Sequence, residues 1–248
     1  MEDRILHAGE RLDDLVIGGL KIIQHEQEFC FTLDAVLLAH FAFIKTKALA
    51  VDLGCGTGAV SLLLLARGAE HVSGVEIGST VASMARRSAA WNGLSDRFSV
   101  MHADFRNLKG LLSGGQYELV VSNPPYRPPG HGRISPNDRI ARARHEITAT
   151  LSDVVAAARY LVRYRGRFAM VHLPERMAEV IAALHSAGLE PKRLRMVHSA
   201  ADKKPTAFLV ESVRGAKPGL DVLPPLIVYN SDGTYSEEIQ SYYRQGLT

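Results

Sequence analysis

The chain has 248 residues, 46% of them apolar and 22% charged, which suits one well-packed core and excludes a disordered chain. Its apolar runs all fall short of the roughly 18 residues a membrane span needs, and the charged start MEDRILHAGERLDD lacks a secretory core, so a soluble cytoplasmic protein is expected. Two cysteines make no disulfide framework, the ten histidines lack metal-site spacing, and no metal is expected. The net charge of +3 divides unevenly: residues 1–120 carry 11 Lys and Arg against 14 Asp and Glu, residues 121–248 carry 18 against 12.

In chain order, DLVIGGLKIIQ reads as a hairpin turning on Gly18-Gly19, and LDAVLLAHFAFI as an apolar helix placed to lie against a sheet edge. Residues 1–47 are thus expected as an N-terminal hairpin and helix packed on a core formed by 48–248. From about residue 48, short apolar runs alternate with longer amphipathic ones, the pattern of a parallel sheet with crossover helices. Strands are predicted at Ala48–Leu53, His71–Ile77, Phe98–His102 and Tyr117–Ser122, with helices at Gly58–Arg67 and Ser79–Trp91, the second ended by Asn92-Gly93. After an irregular Pro/Gly/Arg-rich stretch, Thr150 with Asp153 three residues on marks a helix start. A strand at Arg167–Leu173, a helix at Pro174–His185 stopped by Gly188, and strands near Arg193–His198 and Ala207–Val213 complete a seven-strand sheet. The tail offers a strand-like LIVY, an Asp-Gly turn and a final helix. Arginines crowd at 127–144 and again at Arg159, Arg163, Arg165 and Arg167, which reads as a phosphate-binding face or as an ordinary solvated surface.

The segment VDLGCGTG joins a strand to an apolar helix through Gly54, Gly56 and Gly58, so bare backbone stands where a ligand must come close. Those glycines alone also satisfy a dinucleotide fingerprint. Asp52 separates the two cases. Its carboxylate would repel a pyrophosphate by roughly 4 kcal/mol per close charge pair, whereas the ammonium and sulfonium of S-adenosylmethionine are cations that it attracts. Glu76, eighteen residues after Gly58, is placed to accept both ribose hydroxyls. Asp104, in HADF, is a candidate acceptor for the adenine amino group or a helix cap, and Phe105 can pack on the ring. Cys55 reads as a small filler of the turn.

The fourth predicted strand runs into Asn123-Pro124-Pro125-Tyr126 at the carboxyl edge, where doubly wound sheets carry their sites. Methylating an exocyclic amine requires drawing its delocalised lone pair toward the donor. The Asn123 amide oxygen and the Pro124 carbonyl can each accept one hydrogen of an NH2 group, while Pro125 helps stiffen the backbone. Tyr126 offers a stacking face worth about 1 to 3 kcal/mol for a nucleobase. Catalysis is then mostly positioning, with no covalent intermediate.

VDLGCGTG, GVEI, HADF and NPPY, in this order, resemble the amino-methyltransferase branch of the class I S-adenosylmethionine enzymes, and residues 22 to about 238 resemble the tRNA (adenine(37)-N6)-methyltransferase family acting on valine tRNA. FTLDAVLLAHF (Phe31–Phe41), ARHE (Ala143–Glu146) and KPTAFLVES (Lys204–Ser212) also carry the likeness. It implies a Rossmann-like α/β fold, a seven-stranded mixed sheet with an antiparallel last strand, helices on both faces, and an N-terminal hairpin plus helix extension. It further implies cofactor contacts near Asp34 and a substrate loop after NPPY, with Arg127, Arg133, Arg144 and His145 as substrate contacts for RNA. QHEQEFC departs from the usual aromatic approach to the Asp34 helix.

Four hypotheses follow. The first is N6-methylation of adenine in tRNA; the second keeps the enzyme but makes the acceptor a protein glutamine or an rRNA base amino group, since NPPY serves those chemistries too. An RNA-binding protein without turnover gains little, because every polar residue the chemistry needs is present. A nicotinamide-linked oxidoreductase is disfavoured by Asp52 and by the lack of a hydride-transfer acid or base. His145 and Glu146 either line the substrate pocket or brace its loop.

Overall fold

The computed structural model describes residues 5–15, 17–26, 28, 30–124 and 149–244. The chain opens with β1 (Glu10–Asp14) and β2 (Lys21–His25), an antiparallel hairpin whose register pairs Asp14 with Lys21 around the anticipated Gly18-Gly19 turn. Then follow α1 (Leu33–Phe41), β3 (Leu49–Leu53), α2 (Ala59–Ala66), β4 (His71–Glu76), α3 (Ser79–Trp91), β5 (Phe98–His102) and β6 (Tyr117–Ser122). The second half contains α4 (Leu151–Leu161), β7 (Val162–His172), α5 (Met177–Ser186), β8 (Leu189–His198), β9 (Pro205–Arg214), β10 (Asp221–Val222), β11 (Leu226–Ile227) and α6 (Glu237–Arg244).

Strand order across the large sheet is β10, β8, β9, β7, β6, β3, β4, β5, with β11 also pairing along β8. The expected seven strands are β3 to β9, and β9 runs antiparallel to both β7 and β8. Two further two-residue strands, each parallel to β8, make the sheet nine-stranded. The second is the start of the strand-like LIVY run, whereas Asp221–Val222 is too short to show a period in the sequence.

Consecutive strand residues face opposite layers. Ala50, Leu119, Val121, Ala169 and Val171 pack with α1, α2, α3 and α6 on one side. Val51, Val120, Phe168 and Met170 pack with α4 and α5 on the other. Helix α4 begins as its sequence forecasts. The Asp153 backbone N–H donates to the Thr150 hydroxyl at 3.2 Å and the Thr150 N–H to the Asp153 carboxylate at 2.8 Å, a capping box worth about 1 kcal/mol.

The N-terminal extension is fastened at two places. The edge of β2 is covered by α3, where Asn92 accepts from the Lys21 N–H at 2.9 Å and donates to the Lys21 carbonyl at 2.7 Å, and Ser88 Oγ accepts from the Ile23 N–H at 2.9 Å. Helix α1 lies over the sheet face beside α2, not against the sheet edge as its apolar pattern suggested; an all-apolar helix buries more surface there. Arg67, at the end of α2, donates to the Ala39 and Ala42 carbonyls, so α1 and α2 run side by side in the same direction. Both amino ends therefore point to the carboxyl edge of the sheet. The far end of α1 is held by Glu211, fully buried on β9, which accepts from the Phe43 N–H at 2.7 Å and from Arg167 at 2.6 Å and Arg193 at 3.2 Å. Among the described residues no helix is long and apolar enough to cross a membrane.

Candidate active site

The carboxyl ends of β3, β4, β5 and β6 bring most of the anticipated residues to one edge. After β3 the chain turns sharply, with the Gly54 and Cys55 N–H groups both donating to the Val75 carbonyl at 2.9 and 3.1 Å. Gly54, Gly56 and Gly58 have φ of +71°, +56° and +97°, in the left-handed region that a side chain strains to adopt. A Cβ on Gly54 or Gly56 would meet no atom within 4 Å, so both face open space. Gly58 is different. A Cβ there would come within 2.7 Å of the Phe98 ring, and one on Gly74 within 2.7 Å of Cys55 Sγ and 2.9 Å of Phe98. The floor beneath the turn is thus filled by Phe98 and Cys55 in space that the glycines leave. Burial pushes the Cys55 thiol well above its ordinary range, as befits a filler and not a nucleophile.

Two carboxylates support the turn. Glu76, buried at the end of β4, accepts from the Gly56 N–H at 3.0 Å through one oxygen and from the Gly78 N–H at 2.8 Å through the other. It therefore binds the glycine turn to the start of α3, and each oxygen keeps a lone pair for a ribose hydroxyl. Asp52 is only 1% exposed and accepts from the Ser61 hydroxyl at 2.7 Å. Burial pushes its carboxyl up to about 7; the Ser61 hydrogen bond opposes the rise and the charge of Glu76 adds to it. Ser61, on the first turns of α2, and Ser122, whose hydroxyl donates to the Leu53 carbonyl at 2.9 Å, are site residues that the motifs did not announce. Small hydroxyls in apolar runs carry no local signal of a partner.

Asp104 follows β5 and caps the short 3-10 turn Phe105–Asn107 through the Arg106 N–H at 2.9 Å. Arg106 also pairs with it at 2.5 Å, and that hydrogen bond holds the Asp104 carboxyl below its usual range. The capping alternative is thus realised. Phe105 is half-buried beside it. Asp34 sits in the first turn of α1, whose amino end points to this same edge.

Strands β3 and β6 are parallel neighbours with Leu53 opposite Ser122, so Gly54 and Asn123 leave the sheet side by side. Asn123 and Pro124 are half-buried. Pro125, Tyr126, Arg127, Arg133, Arg144 and His145 lie outside the described residues. Arg163 and Arg167 belong to the start of β7, near Tyr117 and Leu119 of β6, and so occupy the amino edge, opposite the glycine turn.

S-adenosylmethionine, the cofactor anticipated from the sequence, fits these residues. The glycine turn opens on free space, Glu76 has acceptor capacity beside it, and Asp52 is a buried carboxylate against which no cation lies among the described residues.

The sequence profile of the methyltransferase small domain matches residues 33–181, more than half of the chain. The chain belongs to that family. Within the methyltransferase small-domain family it is similar to the protein named tRNA1(Val) (adenine(37)-N6)-methyltransferase of Porphyromonas gingivalis strain W83, 31% identical over 194 residues, which span 76% of this chain and 75% of that one. The protein of the same name from Proteus mirabilis is 26% identical over 247 residues, 97% of this chain and 96% of that one. Among solved structures, a predicted O-methyltransferase from Agrobacterium tumefaciens superposes with a TM-score of 0.70 at 23% identity, covering 86% of this chain and 97% of that one. A geranyl diphosphate methyltransferase in complex with SAM gives 0.55 at 15% identity, over 73% and 84%. These superpositions show that the chain has the class I methyltransferase fold.

Proposed function

We propose that this methyltransferase transfers a methyl group from S-adenosylmethionine to the N6 amino group of an adenine in tRNA, a substrate met in the cytoplasm. The observation that carries the reading is the pairing of Leu53 with Ser122, tied by the Ser122 hydroxyl, which puts the glycine turn beside Asn123. The names of the relatives support tRNA as the acceptor.

S-adenosylmethionine supplies an electrophilic methyl on a sulfonium. The chain supplies position and charge. Gly54, Gly56 and Gly58 give backbone access, Glu76 accepts from the ribose, and Asp34 and Asp52 offer negative charge to the methionine end. Asp104 and Phe105 flank the adenine end. Asn123 and the Pro124 carbonyl accept the two hydrogens of the target NH2, which raises electron density on nitrogen and aims its lone pair. Pro125 stiffens that corner, Tyr126 stacks on the base, and Arg127, Arg133, Arg144 and His145 contact the RNA around it.

Asn123→Ala tests the arrangement. Transfer of labelled methyl to tRNA should fall at least about 100-fold, a barrier rise of about 2.7 kcal/mol, while cofactor affinity stays within a few-fold. Unchanged turnover removes Asn123 from the mechanism. Label that is lost to protease and resists nuclease overturns the RNA acceptor, and mass spectrometry of nucleosides from the product identifies the base.

A further inference from the structure

Arg163, Arg165 and Arg167 serve no part of the site just described, yet the fold gathers them at one edge. Between the paired positions Tyr117–Val162 and Leu119–Arg167, β6 contributes Glu118 alone, while β7 contributes Arg163, Tyr164, Arg165 and Gly166. The extra residues bulge out from the amino edge of the sheet. Arg165 holds φ of +61°, uncommon for a side chain and costing of order 1 kcal/mol or more. Gly166 is packed so closely that a Cβ would lie 2.8 Å from the Val162 side chain and 2.9 Å from the Arg163 carbonyl. Strain and close packing together serve to present the tip.

That tip is basic and aromatic. Tyr164 is 67% exposed, and its ring lies where a Cβ on Gly215 would come within 2.3 Å. Beside it a small cavity is lined by Arg163, Arg165, Arg167, Lys45 and Phe43. Phe43 is 45% exposed and carries the Arg167 guanidinium 4.4 Å above its ring. Lys47, exposed on the same loop, adds a further positive charge. Two carboxylates oppose these five cations: Glu118, 3.1 Å from Arg163, and the buried Glu211. Excess positive charge with exposed aromatic rings is the chemistry of a nucleic-acid contact.

We propose that this amino-edge bulge is a second RNA-binding surface, which grips phosphates of the substrate away from the nucleotide being methylated. The proposal rests on the tRNA reading above. Strand β6 has six residues, so at about 3.3 Å each the bulge lies about 20 Å from the Asn123 corner. An RNA confined to the target loop cannot reach both, whereas a folded tRNA can. An acidic protein segment would suit the charge but has less use for Tyr164 and Phe43.

The test compares a complete tRNA with an isolated stem-loop carrying the same target adenine, using the full-length enzyme. In the double variant Arg165→Glu, Lys45→Glu, and separately in Tyr164→Ala, kcat/KM on the tRNA should fall at least tenfold for the charge reversals and severalfold for Tyr164. For the double variant, the slope of log KM against log salt should become shallower by about 1.4 to 1.8, as expected for two lost phosphate contacts. Stem-loop kinetics and the thermal shift with S-adenosylhomocysteine should match wild type. Equal losses on both RNAs, or no loss on either, overturn the proposal. A wild-type enzyme that methylates no RNA fails the tRNA reading instead, a result separate from any variant.

Discussion

The role proposed for Asp52 couples folding, pH and cofactor binding, and the coupling can be measured. Its carboxyl is pushed from 3.8 up to about 7, mainly by burial. At about 1.36 kcal/mol for each tenfold change in proton affinity, ionising it in the empty site costs about 4 kcal/mol relative to water. Because the folded protein holds this proton more tightly than the unfolded chain, the group's contribution is complete below about pH 3.8 and is lost as pH rises through 7. Asp52→Asn keeps an oxygen for the Ser61 hydroxyl and cannot ionise. Without cofactor, the variant should therefore exceed wild type by about 4 kcal/mol in urea unfolding at about pH 8.5, by about 1.7 kcal/mol at about pH 5, and by almost nothing below about pH 3.8. The same change should weaken S-adenosylmethionine binding at least tenfold, since a cation no longer meets a carboxylate. Calorimetry in buffers of different ionisation enthalpy should show wild type releasing nearly one proton on binding at about pH 5.5, about half at pH 7 and almost none at pH 8.5. A stability difference independent of pH, together with proton-free binding, would refute the assignment of that charge to the cofactor.

Glu76→Gln turns one acceptor into a donor that faces the Gly56 or Gly78 N–H; cofactor dissociation should rise at least tenfold and Tm should drop, read together by thermal shift with and without S-adenosylhomocysteine. Glu211→Gln leaves Arg167 and Arg193 facing a neutral amide, and because both guanidinium groups are about a third exposed, about 2 to 3 kcal/mol of unfolding free energy should be lost instead of the 3 to 5 of a fully buried pair. Gly58→Ala combines a left-handed φ with a 2.7 Å approach to Phe98, which predicts at least about 2 kcal/mol of destabilisation by chemical denaturation.

What the sequence discloses depends on the range of the forces involved. The hairpin, the Thr150–Asp153 cap and strands β5 and β6 are set by local periodicity and turn chemistry, and they stand where the pattern puts them. The strand-to-helix turn at Gly54–Gly58 and the position of Glu76 at the end of β4 were legible too, because glycines at fixed spacing and a strand-ending acid are local signals. Contacts between distant segments were not. Phe43 and Glu211 meet across 168 residues, and nothing in FAFI or VES announces the bond. Asp104 reads as a ligand or as a cap; the cap and the ion pair with Arg106, two residues away, are what the structure shows. The placing of α1 on the sheet face and of the bulged arginines on the far edge followed from strand direction, which periodicity does not encode.

The packing under the glycine turn also bears on how this enzyme can evolve. Phe98 occupies volume conceded by two residues from separate strand–helix units, Gly58 and Gly74, so the three positions share one space. A lineage that first exchanged both Phe98 and Cys55 for smaller side chains would relieve the steric ban on alanine at position 74, where φ raises no objection. At position 58, backbone handedness would still forbid it. Substitutions at 74 should therefore appear together with changes at 55 and 98 among relatives, while position 58 stays glycine whatever its neighbours become.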